Sequence, residues 1–158
     1  MNESSLGYYI EKYHATVFRV AYSYVKCRED SEDIAQEAFL RLYNSNAEFS
    51  TDENVKAWLI RVTANLAKDM LKSSWFKGRT ELDRDIPCES IKEEILLDCI
   101  HRLKPEYCTV ILLFYYEGYS VKEIGDILKI TSSLVTTRLS RARKQLKTML
   151  LKEGYYEE

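Results

Sequence analysis

The chain has 158 residues, of which 46% are hydrophobic, and its formal net charge is −2. This composition argues against a disordered chain, and two prolines with five glycines leave long helices few interruptions. The apolar run at residues 110–114 is too short to cross a bilayer, and the start of the chain lacks the pattern of a signal peptide, so we expect neither membrane insertion nor secretion.

The amino-terminal part is predicted to form three helices. The first runs roughly from Ser5 to Lys26. The second begins after Ser31, a typical N-cap residue, and the third starts near Asn54, after a polar loop at residues 44–53. The expected inner faces are Leu6, Ile10, Tyr13, Val17, Ala21 and Tyr24 in the first helix, Ile34, Ala38 and Leu42 in the second, and Val55, Trp58, Leu59, Val62, Leu66 and Met70 in the third.

The helical pattern breaks after Lys72. Residues 73–90 contain a glycine, a proline and many charges without a sustained apolar period, which is typical of a linker. We therefore predict an all-α chain of two small helical domains, residues 1–72 and 91–152, joined by a linker at residues 73–90.

The carboxyl-terminal part is predicted to form four helices. Ile91, Ile95, Cys99 and Leu103 mark the first of them. Pro105 suits the start of the second and Gly118 its end. Val110, Leu113 and Phe114 of this second helix are expected to form the core of the domain.

The last two helices have the pattern of a helix-turn-helix. Ser120 and Glu123 fit a capping box, and Gly125 leaves space on the apolar face for a second helix backbone to cross. A short turn follows, and Thr131 or Ser132 caps the last helix. Its expected inner residues are Val135, Leu139, Ala142, Leu146 and Met149.

The opposite face of the last helix is polar and basic, which suits the major groove of DNA because hydroxyl and guanidinium groups reach base edges while cations hold phosphates. The candidate duplex-binding residues are Ser133, Thr136, Thr137, Arg138, Ser140, Arg141, Arg143 and Lys144, with Arg138 and Arg143 on the flanks. The alternative is a basic amphipathic helix pair in an unrelated bundle.

Charge is distributed unevenly along the chain. Residues 31–53 carry six acids against the single base Arg41, whereas residues 127–152 carry seven bases and no acid. One part is thus suited to a basic protein surface and the other to a polyanion. Two solvated helix faces are the alternative interpretation.

Catalytic or metal chemistry has no clear signal. Cys27, Cys88, Cys99 and Cys108 form no Cys-x-x-Cys pair, and the chain has only two histidines. We expect reduced thiols, no metal, no cofactor and no enzymatic activity. A redox-sensing role for the cysteines is the less favoured alternative.

Four segments, two in each half of the chain, resemble the extracytoplasmic-function group of bacterial sigma-70 family sigma factors. Residues 30–43, DSEDIAQEAFLRLY, look like the core helix of region two, and residues 57–69, AWLIRVTANLAKD, are similar to its strand-opening helix. Residues 117–125, EGYSVKEIG, and 138–144, RLSRARK, resemble region four. The resemblance covers nearly the whole chain, and its two signatures stand in the expected order.

This resemblance implies roles for residues of the amino-terminal domain. Asp33, Gln36 and Glu37 match the face that binds the basic coiled coil of the β′ subunit of RNA polymerase. Arg61, Asn65, Lys68 and Lys72 are expected to bind the melted upstream promoter element, with the loop from residue 44 to 54 forming a pocket for an unstacked base. Trp58 is an alternative stacking platform, although its apolar spacing favours a core position.

The region four resemblance implies that the last helix binds the more distant duplex element. Ser133, Leu134 and Thr136 depart from the family pattern, which often has glycine, then threonine or alanine, and a basic residue there. Lys72 and Ser73 likewise replace a more basic pair. The departures bear on base preference rather than on the fold.

The implied partners are core RNA polymerase, through its β′ and β subunits, and promoter DNA in the cytoplasm. Family members are often held inactive by an anti-sigma factor, which no residue here identifies. Two other functions stay open: a free-standing helix-turn-helix repressor or activator, and a protein-binding adaptor whose DNA surface has decayed.

Overall fold

The computed structural model describes residues 1–73 and 91–154, which form seven α-helices and no strand. The chain divides into two compact units, Met1–Thr80 and Glu81–Glu158. The all-α prediction is confirmed. Apart from Ser73, the predicted linker lies outside the described residues, and so does Cys88. No described helix combines the length and the apolar character that crossing a bilayer requires.

The first unit is a bundle of three helices, α1 (Glu3–Val25), α2 (Arg28–Asn44) and α3 (Asp52–Lys72). Val17, Leu42, Val55 and Leu59 are fully buried where the three helices meet. Lys26 ends α1 in the left-handed conformation, with φ of 56°, so that the chain turns back at once into α2.

Helix α2 begins four residues before the predicted position, with Cys27 rather than Ser31 at the N-cap. Ser31 is not its N-cap: it is buried inside the helix, and its hydroxyl donates a 2.7 Å hydrogen bond to the carbonyl of Cys27, one turn back. The early start leaves Glu29 and Asp30 in the first turn, where they complement the helix dipole. The predicted inner face of α2 is confirmed, since Ile34, Ala38 and Leu42 are buried.

Helix α3 also begins earlier than predicted. Thr51 caps it by accepting a 3.2 Å hydrogen bond from the amide of Asn54, so the first helical residue is Asp52. The inner face is rotated from the predicted stripe, since Ile60 and Thr63 are buried whereas Val62 is only half-buried. Thr63 fits this face because its hydroxyl is satisfied by the carbonyl of Leu59, 2.6 Å away.

The second unit contains α4 (Ile91–His101), α5 (Pro105–Tyr115), α6 (Val121–Leu128) and α7 (Ser132–Lys152). Helix α5 supplies the centre of its core, with Val110 and Leu113 fully buried. Pro105 is at the first helical position, as predicted. Gly118 lies beyond the end of α5 rather than at it, in the following turn, with φ of 75°.

Gly125 is required by the turn that follows α6. A Cβ atom at this position would lie 2.8 Å from the carbonyl oxygen of Ile130 and 3.5 Å from the amide of Ser132. The sequence pattern predicted a close approach at Gly125, but the approaching atoms belong to the turn and the first residue of α7 rather than to a crossing helix. The glycine thus fixes how closely α7 follows α6.

Replacing Gly125 with alanine is therefore expected to destabilise the second unit by about 1–3 kcal/mol, because backbone must move to admit the methyl group. Gly7→Ala is the matched control: Gly7 is exposed within α1 and a Cβ there meets nothing within 4 Å, so it should be stabilising by about 0.5–1 kcal/mol. Urea unfolding followed by circular dichroism measures both, and equal effects would contradict the assigned role of Gly125.

Candidate functional site

The predicted polymerase-binding residues lie together on one exposed side of α2. Asp33, Gln36 and Glu37 are all exposed, and their spacing along the helix brings them onto one side. Leu40, one turn further on, continues this side with 54% of its surface exposed. We call these four residues the acidic face of α2. It offers carboxylates and one aliphatic contact to a basic, amphipathic partner.

Glu37 already has a partner within α2. Its carboxylate accepts a 3.1 Å hydrogen bond from Nε of Arg41, and both side chains are about half exposed. An exposed pair of this kind contributes little to helix stability. Glu37 can therefore give up Arg41 and pair with a cation of a binding partner at little cost in helix stability.

The four predicted strand-binding residues share one face of α3. Arg61, Asn65 and Lys72 are exposed, and Lys68 is half-buried, with its ammonium group 6.0 Å from the centre of the Tyr24 ring. Their spacing of three or four residues aligns them over three turns of helix. This face provides three cations and an amide, which is chemistry suited to phosphates and base edges.

Trp58 packs within the first unit. Its ring is half-buried against the core and meets Phe49 edge to face, with ring centres 5.9 Å apart. Phe49 belongs to the connection between α2 and α3, so the aromatic pair fastens that loop to α3. Trp58 therefore packs against the core without being fully buried in it, and its alternative role as a stacking platform stays a prediction.

A polar cluster that sequence reasoning missed joins the beginnings of α1 and α3. Tyr8 donates a 2.6 Å hydrogen bond to Oδ2 of Asp52, and Nζ of Lys12 lies 2.9 Å from the same oxygen. Tyr9 donates to Oδ1 of Asp52 at 3.2 Å, and Tyr13 donates to its backbone carbonyl at 3.1 Å. We call this arrangement the Asp52 clamp.

The clamp keeps Asp52 ionised. The hydrogen bonds from Tyr8 and Lys12 lower the pKa of the Asp52 carboxyl group, and the bond to Asp52 raises the pKa of Lys12. No local pattern announces this cluster, because Tyr8 and Asp52 are 44 residues apart in the chain.

In the second unit, α6, the turn and α7 form the predicted helix-turn-helix. The capping box is complete: Glu123 accepts a 2.9 Å hydrogen bond from the amide of Ser120, and the Ser120 hydroxyl accepts one of 3.1 Å from the amide of Glu123. These bonds also lower the pKa of Glu123. Lys129 turns the chain with φ of 60°, and Thr131 caps α7.

Most predicted duplex-binding residues form an outer face on α7. Ser133, Thr136, Ser140, Arg141 and Lys144 are exposed, and Thr137 and Arg138 are half-buried. The hydroxyls of Thr136 and Thr137 each donate a 3.0 Å bond to the helix carbonyl four residues back. With their donors used in this way, these two threonines offer a ligand acceptor oxygens, which suit the amino groups of cytosine and adenine.

Arg143 is directed toward α5 instead. Its Nε donates a 2.7 Å hydrogen bond to the hydroxyl of Tyr115, and its guanidinium carbon lies 5.5 Å from the ring centres of both Phe114 and Tyr115. This contact braces α7 against α5. A DNA-binding role for Arg143 stays a prediction.

The described cysteines are free thiols. Cys99 and Cys108 are buried and Cys27 is half-buried. Burial raises the pKa of Cys99 above its ordinary value, which keeps its thiol protonated and poorly reactive.

Comparison with known proteins finds two family matches, Sigma-70 region 2 over residues 9–77 and Sigma-70 region 4 over residues 93–146. The chain is 31% identical to the RNA polymerase sigma factor SigV of Bacillus subtilis, over 86% of this chain and 85% of that protein. It is 27% identical to the ECF RNA polymerase sigma factor SigW of the same organism, over 89% and 86% of the two chains.

The fold is similar to that of a solved sigma factor. The structure of RpoE from Bartonella quintana, in complex with the anti-sigma factor NepR, matches with a TM-score of 0.76 at 19% identity. The match covers 89% of this chain and 93% of that one.

Proposed function

The chain belongs to the extracytoplasmic-function group of the sigma-70 family and is an RNA polymerase sigma factor, and we propose a separate binding role for each of three exposed helix faces. The acidic face of α2 binds core polymerase, the polar face of α3 binds the melted promoter strand, and the outer face of α7 binds the duplex upstream. The observation that carries the proposal is that surfaces of opposite charge lie on separate units, one acidic on α2 and one basic on α7.

The acidic face of α2 suits the basic coiled coil of the β′ subunit. Asp33 and Glu37 supply exposed carboxylates, Gln36 adds an amide, and Leu40 provides an apolar contact. Ion pairs of this kind set the register of docking and speed up association, while the apolar contact lengthens the life of the complex. We propose that the β subunit of the core polymerase also contacts the bound protein.

The polar face of α3 suits a single strand. Lys72, Lys68 and Arg61 follow one another along the helix as a line of cations for successive phosphates, and Asn65 between them offers a donor and an acceptor to a base edge. In the structure, the loop that connects α2 and α3 spans residues 45–51, and we propose that it forms the pocket for an unstacked base. Holding that base out of the stack is how the protein helps to open the duplex.

The outer face of α7 suits the major groove. Arg138, Arg141 and Lys144 bind phosphates or guanine edges, and Ser133, Thr136, Thr137 and Ser140 line the surface between them. Thr136 stands where the family often has a basic residue, which gives this face one cation fewer, and Ser133 and Leu134 also depart from the family pattern. We therefore propose that it selects its sites more through hydroxyl and methyl contacts than through arginine.

We propose that the protein acts in the cytoplasm without catalysis of its own, since the polymerase core carries out the chemistry. RpoE of Bartonella quintana is bound to an anti-sigma factor in its structure, and the fold is shared. An anti-sigma partner of the same kind is proposed for this chain.

Transcription by reconstituted holoenzyme from a library of random promoters tests the proposed function. We expect transcripts that depend on the protein and share two conserved blocks, one for each DNA-binding face. Core polymerase alone is the control. Binding to core without promoter selection would contradict the proposal and favour an adaptor.

A further inference from the structure

We infer that the Asp52 clamp positions the loop between α2 and α3 for the unpaired promoter base, which makes Tyr8, Tyr9 and Lys12 of α1 positioning residues. The inference rests on the proposed binding of melted DNA by α3 and this loop. The inference gives α1 a part in promoter opening, although none of the proposed contacts with DNA or polymerase lies on this helix.

The first argument is the anchoring of the loop. Phe49 holds it from the inside by packing on Trp58, and Asp52 holds it where it enters α3. Between α2 and these anchors, Asn46, Ala47 and Glu48 are exposed. Because Phe49 and Asp52 already restrain the loop, it loses little conformational freedom when it binds a ligand. The entropic cost of ordering it on binding is therefore small.

The second argument is that the hydrogen bonds between residues near the loop do not set its position relative to α1. The amide of Ala47 donates to the Ser45 hydroxyl at 3.0 Å, and Asn54 donates to the Ser50 hydroxyl at 2.8 Å. The first bond stays within the loop and the second ties it to the start of α3, so neither of them connects the loop to α1. The clamp connects the end of the loop to α1 through polar contacts, and its members Lys12 and Asp52 are 40 residues apart in the chain.

The third argument is that helix initiation does not require the clamp. Thr51 already caps α3 through the amide of Asn54. Yet Tyr8, Tyr9 and Lys12 all converge on the single carboxylate of Asp52. Because the ion pair is exposed, its contribution to global stability is small, and its main effect is on local geometry.

The fourth argument is electrostatic. A carboxylate at the entry to α3 repels a DNA strand that runs along the cations of this helix. Lys12 offsets the negative charge of Asp52, and the hydroxyls of Tyr8 and Tyr9 stabilise that charge by donating a hydrogen bond to each carboxylate oxygen. The neighbouring Glu48 and Glu53 are exposed and take no part in the clamp, so Asp52 is the acid whose charge is specifically compensated.

Two variants break the clamp in different ways. Asp52→Ala removes the acceptor, and the double variant Tyr8→Phe, Tyr9→Phe removes two donors while keeping both rings. Glu53→Ala is the matched control, because Glu53 has the same charge in the same exposed first turn of α3. Each holoenzyme is titrated with single-stranded promoter oligonucleotides that carry each of the four bases at the unpaired position.

We expect both clamp variants to bind the preferred oligonucleotide about fivefold more weakly and to discriminate less among the four bases. Glu53→Ala should keep the wild-type base preference, and core polymerase binding should be unchanged throughout. A clamp that only supported the fold would lower the melting temperature and leave the preference intact.

Retention of the base preference in the folded double phenylalanine variant would overturn the inference, as would equal effects of Asp52→Ala and Glu53→Ala. Arg61→Ala and Asn65→Ala separate this failure from that of the proposed function. If those two variants bind the oligonucleotide normally, α3 is not the strand-binding surface, whatever the clamp does.

Discussion

Reversing the charges of Asp33 and Glu37 to lysine is expected to weaken the binding of this protein to core RNA polymerase by about a hundredfold, or ~2.7 kcal/mol. Both residues are exposed on the acidic face of α2, and they would then oppose a basic coiled coil with like charge. Lysine at position 37 would also repel Arg41, which now pairs with Glu37, but such a contact on one helix costs only about 0.5 kcal/mol. The fold should therefore survive.

Analytical size exclusion or fluorescence titration against core polymerase measures the loss. The matched control reverses Glu48 and Asp69, which are exposed acids of the same unit outside the acidic face of α2. Near-normal binding of the Asp33 and Glu37 variant to core polymerase, or an equal loss of binding in the control, would mean that the acidic face is only solvated surface. Circular dichroism should show unchanged helix content in both proteins.

Replacing Arg138 and Arg141 with alanine should lower the affinity of the holoenzyme for its upstream promoter element by about thirtyfold, or ~2 kcal/mol. Arg141 is exposed and Arg138 half-buried, and neither side chain forms an ion pair within the part of the chain that the structure describes. Their replacement should therefore remove the proposed DNA contacts without breaking an ion pair of the described residues.

The salt dependence of binding gives the sharper measurement. Each phosphate contact that is lost should reduce the slope of log affinity against log salt by about one unit. Lys152→Ala is the control, because Lys152 lies on the same helix, about 21 Å beyond Arg138 and about 16 Å beyond Arg141 along the helix axis. Unchanged affinity and slope in the double alanine variant would remove α7 from the duplex interface.

The contrast between Arg141 and Arg143 shows the limit of motif matching. Both arginines belong to the region four signature and both were predicted to bind DNA. Arg141 is exposed on the outer face of α7, whereas Arg143 is drawn to Tyr115 on α5. Residues two apart differ by about 200° around an α-helix, so the helical period places Arg143 nearly opposite Arg141. The packing of α7 on α5 then decides that an aromatic ring lies beside Arg143.

Helix starts illustrate the same limit at the level of secondary structure. The capping box of Ser120 and Glu123 was predictable because both partners lie within one turn. Ser31 looked equally suited to cap α2, yet it bonds backward to Cys27 from inside the helix. Its role depended on the turn at Lys26, which allows α2 to begin at Arg28.

By itself, the sequence determined what short-range physics can decide in this protein. Helical period, capping residues, the position of Gly125 and the segregation of acids from bases can be read from the sequence, and they were sufficient to predict the described helices and a helix-turn-helix. The family was predicted from the resemblance of four segments to its regions two and four. The tertiary structure alone decided the Asp52 clamp, the rotation of the inner face of α3 and the direction of Arg143. These features depend on contacts between side chains that are far apart in the chain. Such contacts arise only when the helices pack together, so no periodic pattern in the sequence predicts them.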